Sequence, residues 1–231
     1  MNCPLTRRTA IAAGIGAVCG VPLTRAADET GRPSNAVETN NDSPAEILKK
    51  AEMVYEKART VAQTDYRKAL ARAIQGADKV QACLLDFEAS IEGDWREVAW
   101  DDNDWFVIPP LPGKTKILKR VDLKPPQSTG AVKFMASLVR EDNPGGGAGC
   151  HFPIHGLRFF KGDSLFYFTS LCWICENFSV SYPDDLAGLP AGHWLGLRQG
   201  GKDLEALMKS VLPVPDEVAR RFSEKYPSKI K

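Results

Sequence analysis

Apolar positions along this chain change period more than once, and each change marks an element. Ile47, Ala51, Val54, Ala58 and Val61 recur at helical spacing, with Lys49, Lys50, Glu52, Glu56, Lys57 and Arg59 on the other faces. Ser43 followed by Pro44, with Glu46 three residues after Ser43, is a helix-opening arrangement. The pattern predicts a long helix whose stripe packs on a sheet. Thr64-Asp65 predicts the cap of a second short helix running to Ile74 and closed by Gly76. The period then shortens. Val80 to Ser90, Trp95 to Trp100 and Trp105 to Ile108 read as strands, and Ile117 to Val121 as a short strand or bridging segment. Helical spacing returns over Pro126 to Val139, with Val132, Met135, Ala136 and Val139 on one face. Trp194 to Leu197 reads as an edge strand. Lys202 to Leu212 and Asp216 to Lys225 read as closing helices. Helices at the ends and strands between them predict one α+β domain over 44–227. Its antiparallel sheet carries a long N-terminal helix and C-terminal helices.

The most informative stretch is Cys150 to Phe178, CHFPIHGLRFFKGDSLFYFTSLCWICENF. It holds three of the six cysteines and two of the three histidines. Gly156 to Phe160 and Leu165 to Leu171 are rich in aromatic and branched residues, as strands are. Gly162-Asp163 between them suits a two-residue type II′ turn, which pairs Lys161 with Ser164. Counting outward, Pro153 faces Cys172 and Cys150 faces Cys175. The register thus gathers Cys150, His151, His155, Cys172 and Cys175 at one end of the hairpin.

Charge changes the picture at the N-terminus. Thr6-Arg7-Arg8-Thr9-Ala10-Ile11 opens an apolar run to Leu23, and Thr24-Arg25-Ala26 fits a small-x-small cleavage site. Residues 1–26 are expected to be a signal peptide of twin-arginine type, with general secretion as the alternative route. Polar residues 27–43 are expected to form a disordered linker. The formal net charge is +1. Without Arg7, Arg8 and Arg25 the balance is 27 basic against 29 acidic. That gives no electrostatic case for nucleic acid as a partner. No later stretch reaches the roughly 20 apolar residues of a membrane span. The expected location is periplasm or cell envelope, where disulfides persist.

Several chemistries compete for the cysteines and histidines. Three Cys and one His form a standard tetrahedral zinc set. On that reading Cys150, His155, Cys172 and Cys175 are the ligands, with His151 as the alternative imidazole. A disulfide between Cys150 and Cys175 is the second reading, leaving Cys172 free or paired with Cys83. A redox role for Cys172-Trp173-Ile174-Cys175 is the third. A thioredoxin-type motif opens a helix, whereas Glu176 to Val180 reads as strand. Cys150 as a nucleophile with a histidine base lacks an identifiable orienting group. Cys83 shares a face with Gln81, Leu85 and Phe87 and reads as a small buried hydrophobe. Asp101-Asp102-Asn103-Asp104 reads as a solvated turn and does not fit a calcium loop. Asn143 to Gly149 lacks the Lys-Ser/Thr of a phosphate-binding loop.

Ala77-Asp78-Lys79-Val80, Lys116-Ile117-Leu118, Cys150-His151-Phe152-Pro153-Ile154-His155-Gly156 and Cys172-Trp173-Ile174-Cys175-Glu176-Asn177-Phe178 together resemble a pattern in a group of uncharacterised exported bacterial proteins. The shared pieces are CHxPxHG and CxxCxNF, and the likeness spans Ala77 to Pro213. The resemblance implies that the cluster acts as a unit and implies no activity. The expectation is an exported domain with a structural zinc site and a binding or envelope role. The rival expectation is an enzyme, a thiol–disulfide oxidoreductase or a metal hydrolase, built on the same cluster.

Overall fold

Residues 44–75 form one uninterrupted helix, α1 (Pro44–Gln75), in the computed structural model. The structure describes residues 43–90, 98–108, 113–140, 151–182, 193–197 and 199–227. Two sequence expectations are corrected here. No second helix opens at Thr64-Asp65, because Thr and Asp are tolerated inside a helix that neighbouring turns already support. The apolar stripe does not lie on the sheet either. Ile47, Val54 and Val61 are exposed, and burial in α1 is confined to Leu70, Ala71 and Ile74. The expected signal peptide and nearly all of the expected linker lie outside the described residues, as do 143–149 and Cys150.

Residues Pro44–Lys231 form one unit of α+β class. After α1 come β1 (Lys79–Ser90), β2 (Trp105–Val107), β3 (Lys114–Asp122), α2 (Gln127–Leu138), β4 (His155–Lys161), β5 (Ser164–Cys172), β6 (Asn177–Val180), β7 (His193–Gly196), α3 (Gln199–Val211) and α4 (Asp216–Lys225). The strands form one seven-stranded antiparallel sheet in the order β2-β3-β1-β4-β5-β6-β7. The strand expected over Trp95 to Trp100 is not seen at 98–100, and 95–97 lie outside the described residues. Asp102 Oδ1 accepts from the backbone N–H groups of Asp104 and Trp105, at 2.8 Å each. The acidic tetrad therefore makes the turn its composition suits. No helix among the described residues is long and apolar enough to cross a membrane.

Alternation along the strands divides the interior. One face carries Leu84, Leu157, Phe159, Leu171, Phe178 and Leu195 into a core with Met135 of α2 and Leu204 and Met208 of α3. The other face carries Cys83, Leu85 and Ile117 around Phe106. At the far end of β1, Phe87 packs with Val218 and Phe222 of α4.

The β4–β5 hairpin forms as expected at its tip. Lys161 pairs with Ser164, and Gly162 takes φ 56° at the first central position of the turn. Beyond the tip the register slips. A bulge between Phe159 and Phe160 offsets every later pair by one residue, so His155 faces Leu171. The inferred pairing of Pro153 with Cys172 is corrected on this account. Cys172 pairs instead with Asn177 across the next hairpin, β5–β6, and Trp173 to Glu176 form its four-residue loop.

Candidate functional site

The one-residue slip decides which groups meet. Residues directly opposite on paired strands share a face, and neighbours along a strand point to opposite faces. His155 faces Leu171, so it lies on the helix side of the sheet, away from the side of Ser170 and Cys172. There its ring is fully used. Trp173 Nε1–H donates to Nδ1 at 2.8 Å, and Nε2–H donates to the Leu212 carbonyl at 2.8 Å. Burial lowers its pKa to about 4; the Leu212 hydrogen bond opposes that shift without cancelling it. A neutral ring with both nitrogens engaged has no lone pair left for a metal.

His151 lies on the opposite side, just before β4. Its Nδ1–H donates to Asn177 Oδ1 at 2.7 Å, which leaves Nε2 to accept from Ser170 Oγ–H at 2.8 Å. Ser170 Oγ also lies 3.3 Å from Ser179 Oγ. The Trp194 ring covers the imidazole, with centroids 3.9 Å apart and planes 31° from parallel. The sheet makes room for these rings with small residues. Gly156 faces Ser170 across β4–β5, and Ser179 faces Trp194 across β6–β7. A Cβ on Gly156 would stand 2.6 Å from the Phe106 ring. The row Gly156, Ser170, Ser179 is thus a trough, with Phe106 seated at one end and His151 further along. Burial lowers the His151 pKa to about 4, against the raising effect of the Asn177 hydrogen bond.

Ser170, His151 and Asn177 stand in the order nucleophile, base, orienting group. Ser170, however, is 0% exposed and lies within a central strand. Its hydroxyl is shared with Ser179, and its partner imidazole is packed under an indole. The arrangement holds residues 151–154 against the sheet. Sequence reasoning missed it because Ser170, Ser179 and Trp194 carry no motif. The available signal was a run of small residues at matching levels of adjacent strands.

Of the three cysteines among the described residues, two are free and one is disulfide-bonded. Cys83 is free and buried among Leu85, Phe106 and Ile117, as its strand position implied, and burial raises its pKa to about 11. Cys172 is free and buried. Its sulfur accepts from Phe152 N–H at 3.3 Å and Cys175 N–H at 3.4 Å, and a backbone bond from Ile174 also lowers its pKa. Burial outweighs these bonds and leaves the thiol pKa raised. Cys175 is half-buried and disulfide-bonded. Glu176, next in the loop, adopts the left-handed conformation at φ 48° and turns the chain into β6.

This geometry bears directly on the expected ligand set of Cys150, His155, Cys172 and Cys175. Cys150 lies outside the described residues. Cys175 carries a disulfide sulfur, which is not a thiolate donor. His155 is on the wrong side of the sheet for Cys172, and the alternative ligand His151 has both nitrogens engaged. Among the described residues no group of three or more His, Cys, Asp or Glu side chains converges on a metal position. Comparison with known proteins finds no matching family model, no matching curated protein and no matching solved structure.

Proposed function

We propose that the chain is an exported periplasmic or cell-envelope protein with a binding or structural role, and that its cysteine–histidine hairpin is a lock on the fold. The disulfide at Cys175 carries this reading, because such bonds persist in oxidising compartments. It agrees with the arginine pair and cleavage-like sequence before Ala27, and with the resemblance to exported bacterial proteins. The engaged rings of His151 and His155 support a holding role for the cluster. A near-neutral charge balance supports a partner other than nucleic acid. A zinc knuckle would require Cys175 as a free thiolate.

Intact mass, metal content and thiol count on protein purified from its native compartment without chelator test this together. The expected result is a chain starting near Ala27, no stoichiometric metal and two thiols missing from the cysteine count. One zinc per chain, with thiols blocked until chelation, would overturn the lock in favour of the knuckle. A chain retaining residues 1–26 would overturn export by a cleaved signal.

A further inference from the structure

The disulfide lock has a third cysteine beside it. We propose that Cys172 and Cys175 form a thiol–disulfide exchange pair, in which buried Cys172 is the resolving thiol for the half-buried Cys175 sulfur. The proposal rests on the lock reading of Cys175. Four observations carry it. Cys175 is oxidised while Cys172, three residues before it at the end of β5, is a free thiol. The loop is tight, with Cys172 Sγ 3.4 Å from the Cys175 backbone nitrogen. The backbone N–H groups of Phe152 and Cys175 donate to Cys172 Sγ and offset part, though not all, of the cost that burial puts on its thiolate. Finally, Ile174 at the loop tip is 38% exposed, an apolar contact for an incoming peptide beside the half-buried sulfur.

The step balances without an external oxidant or reductant. The Cys172 thiolate attacks Cys175 Sγ and forms a Cys172–Cys175 bond. The bond from Cys175 to its present partner breaks, that partner leaves as a thiolate, and it takes up the proton Cys172 gave up. An external thiol can enter the same cycle. It attacks Cys175 Sγ to give a mixed disulfide, and Cys172 then expels it.

The test is peptide mapping of the full mature chain and of Cys172→Ser in glutathione buffer at pH 8, quenched with acid and alkylated. The wild type is expected to yield a disulfide within the peptide carrying both cysteines. It should also lose any glutathione adduct on Cys175 at least ten times faster than the variant. Adducts equally long-lived in both proteins, or Cys175 retaining its original partner throughout, would overturn the exchange pair. Cys175 alkylating as a free thiol before any glutathione is added would instead overturn the lock itself. Cys172→Ala, with native circular dichroism, should keep the adduct as Cys172→Ser does, and its loss at the wild-type rate would likewise overturn the exchange pair.

Discussion

His151 and His155 are neutral because burial costs a charged imidazole more than their hydrogen bonds return. Their folded pKa values, about 4 each, lie below the ordinary 6.5. Above pH 6.5 neither state binds these protons, and their contribution to stability is complete. As pH falls from about 6.5 towards 4 the unfolded chain takes up protons that the folded chain refuses. Stability should therefore decline over that window by at most about 3 kcal/mol per histidine. Urea unfolding midpoints measured at pH 7, 5.5 and 4.5 check this, and His151→Gln should flatten the profile. Ser170→Ala removes the hydroxyl that donates to His151 Nε2 and should cost about 1–3 kcal/mol, the range for a buried acceptor left unpaired. A fluorophosphonate serine probe should leave the wild type unlabelled. Labelling at Ser170 would mean that the Ser170–His151–Asn177 chain opens to solvent and acts as its order implies.

At the scale of elements, the β4–β5 bulge separates what the sequence made legible from what it did not. The turn at Gly162, both strands and the pairing of Lys161 with Ser164 follow from residue type. The bulge does not, because its extra residue, Phe166 between the pairs Phe160–Leu165 and Phe159–Tyr167, is one more aromatic in an apolar strand. One slipped residue turns every later side chain to the other face. It sets His155 apart from Cys172, which the straight register would place on one side of the sheet. The closeness of His151 to the β5–β6 pair depends instead on how residues 151–154 cross the sheet, which no local pattern encodes. Gly156 was legible only as a strand residue. Its absent side chain is what seats Phe106, which is 0% exposed. Gly156→Ala should therefore destabilise by about 1–3 kcal/mol, as overpacking of a filled core does. Thermal unfolding checks it, and Phe106→Leu in the same chain should recover part of the loss.

Across the whole molecule the α+β class and the order of helices and strands follow from periodicity, whereas the destination of the α1 stripe does not. An apolar repeat states that a face avoids water and leaves open what it packs against. In α1 the domain takes only the last turns. Leu70, Ala71 and Ile74 enter the core, and Tyr66 meets Tyr182 with ring centroids 5.6 Å apart. Ile47, Leu48, Met53, Val54, Tyr55 and Val61 stand 53–70% exposed. Core burial stabilises a domain roughly in proportion to the apolar area it removes from water. Residues 44–62 should consequently contribute little to the unfolding free energy of the rest. A chain beginning at Gln63 should keep its melting temperature within about 3 °C, a shift below 1 kcal/mol at this size. It should lose helical circular dichroism in proportion to the residues removed. A fall of 10 °C or more would instead show that the exposed part of α1 is held in solution by contacts that stabilise the domain.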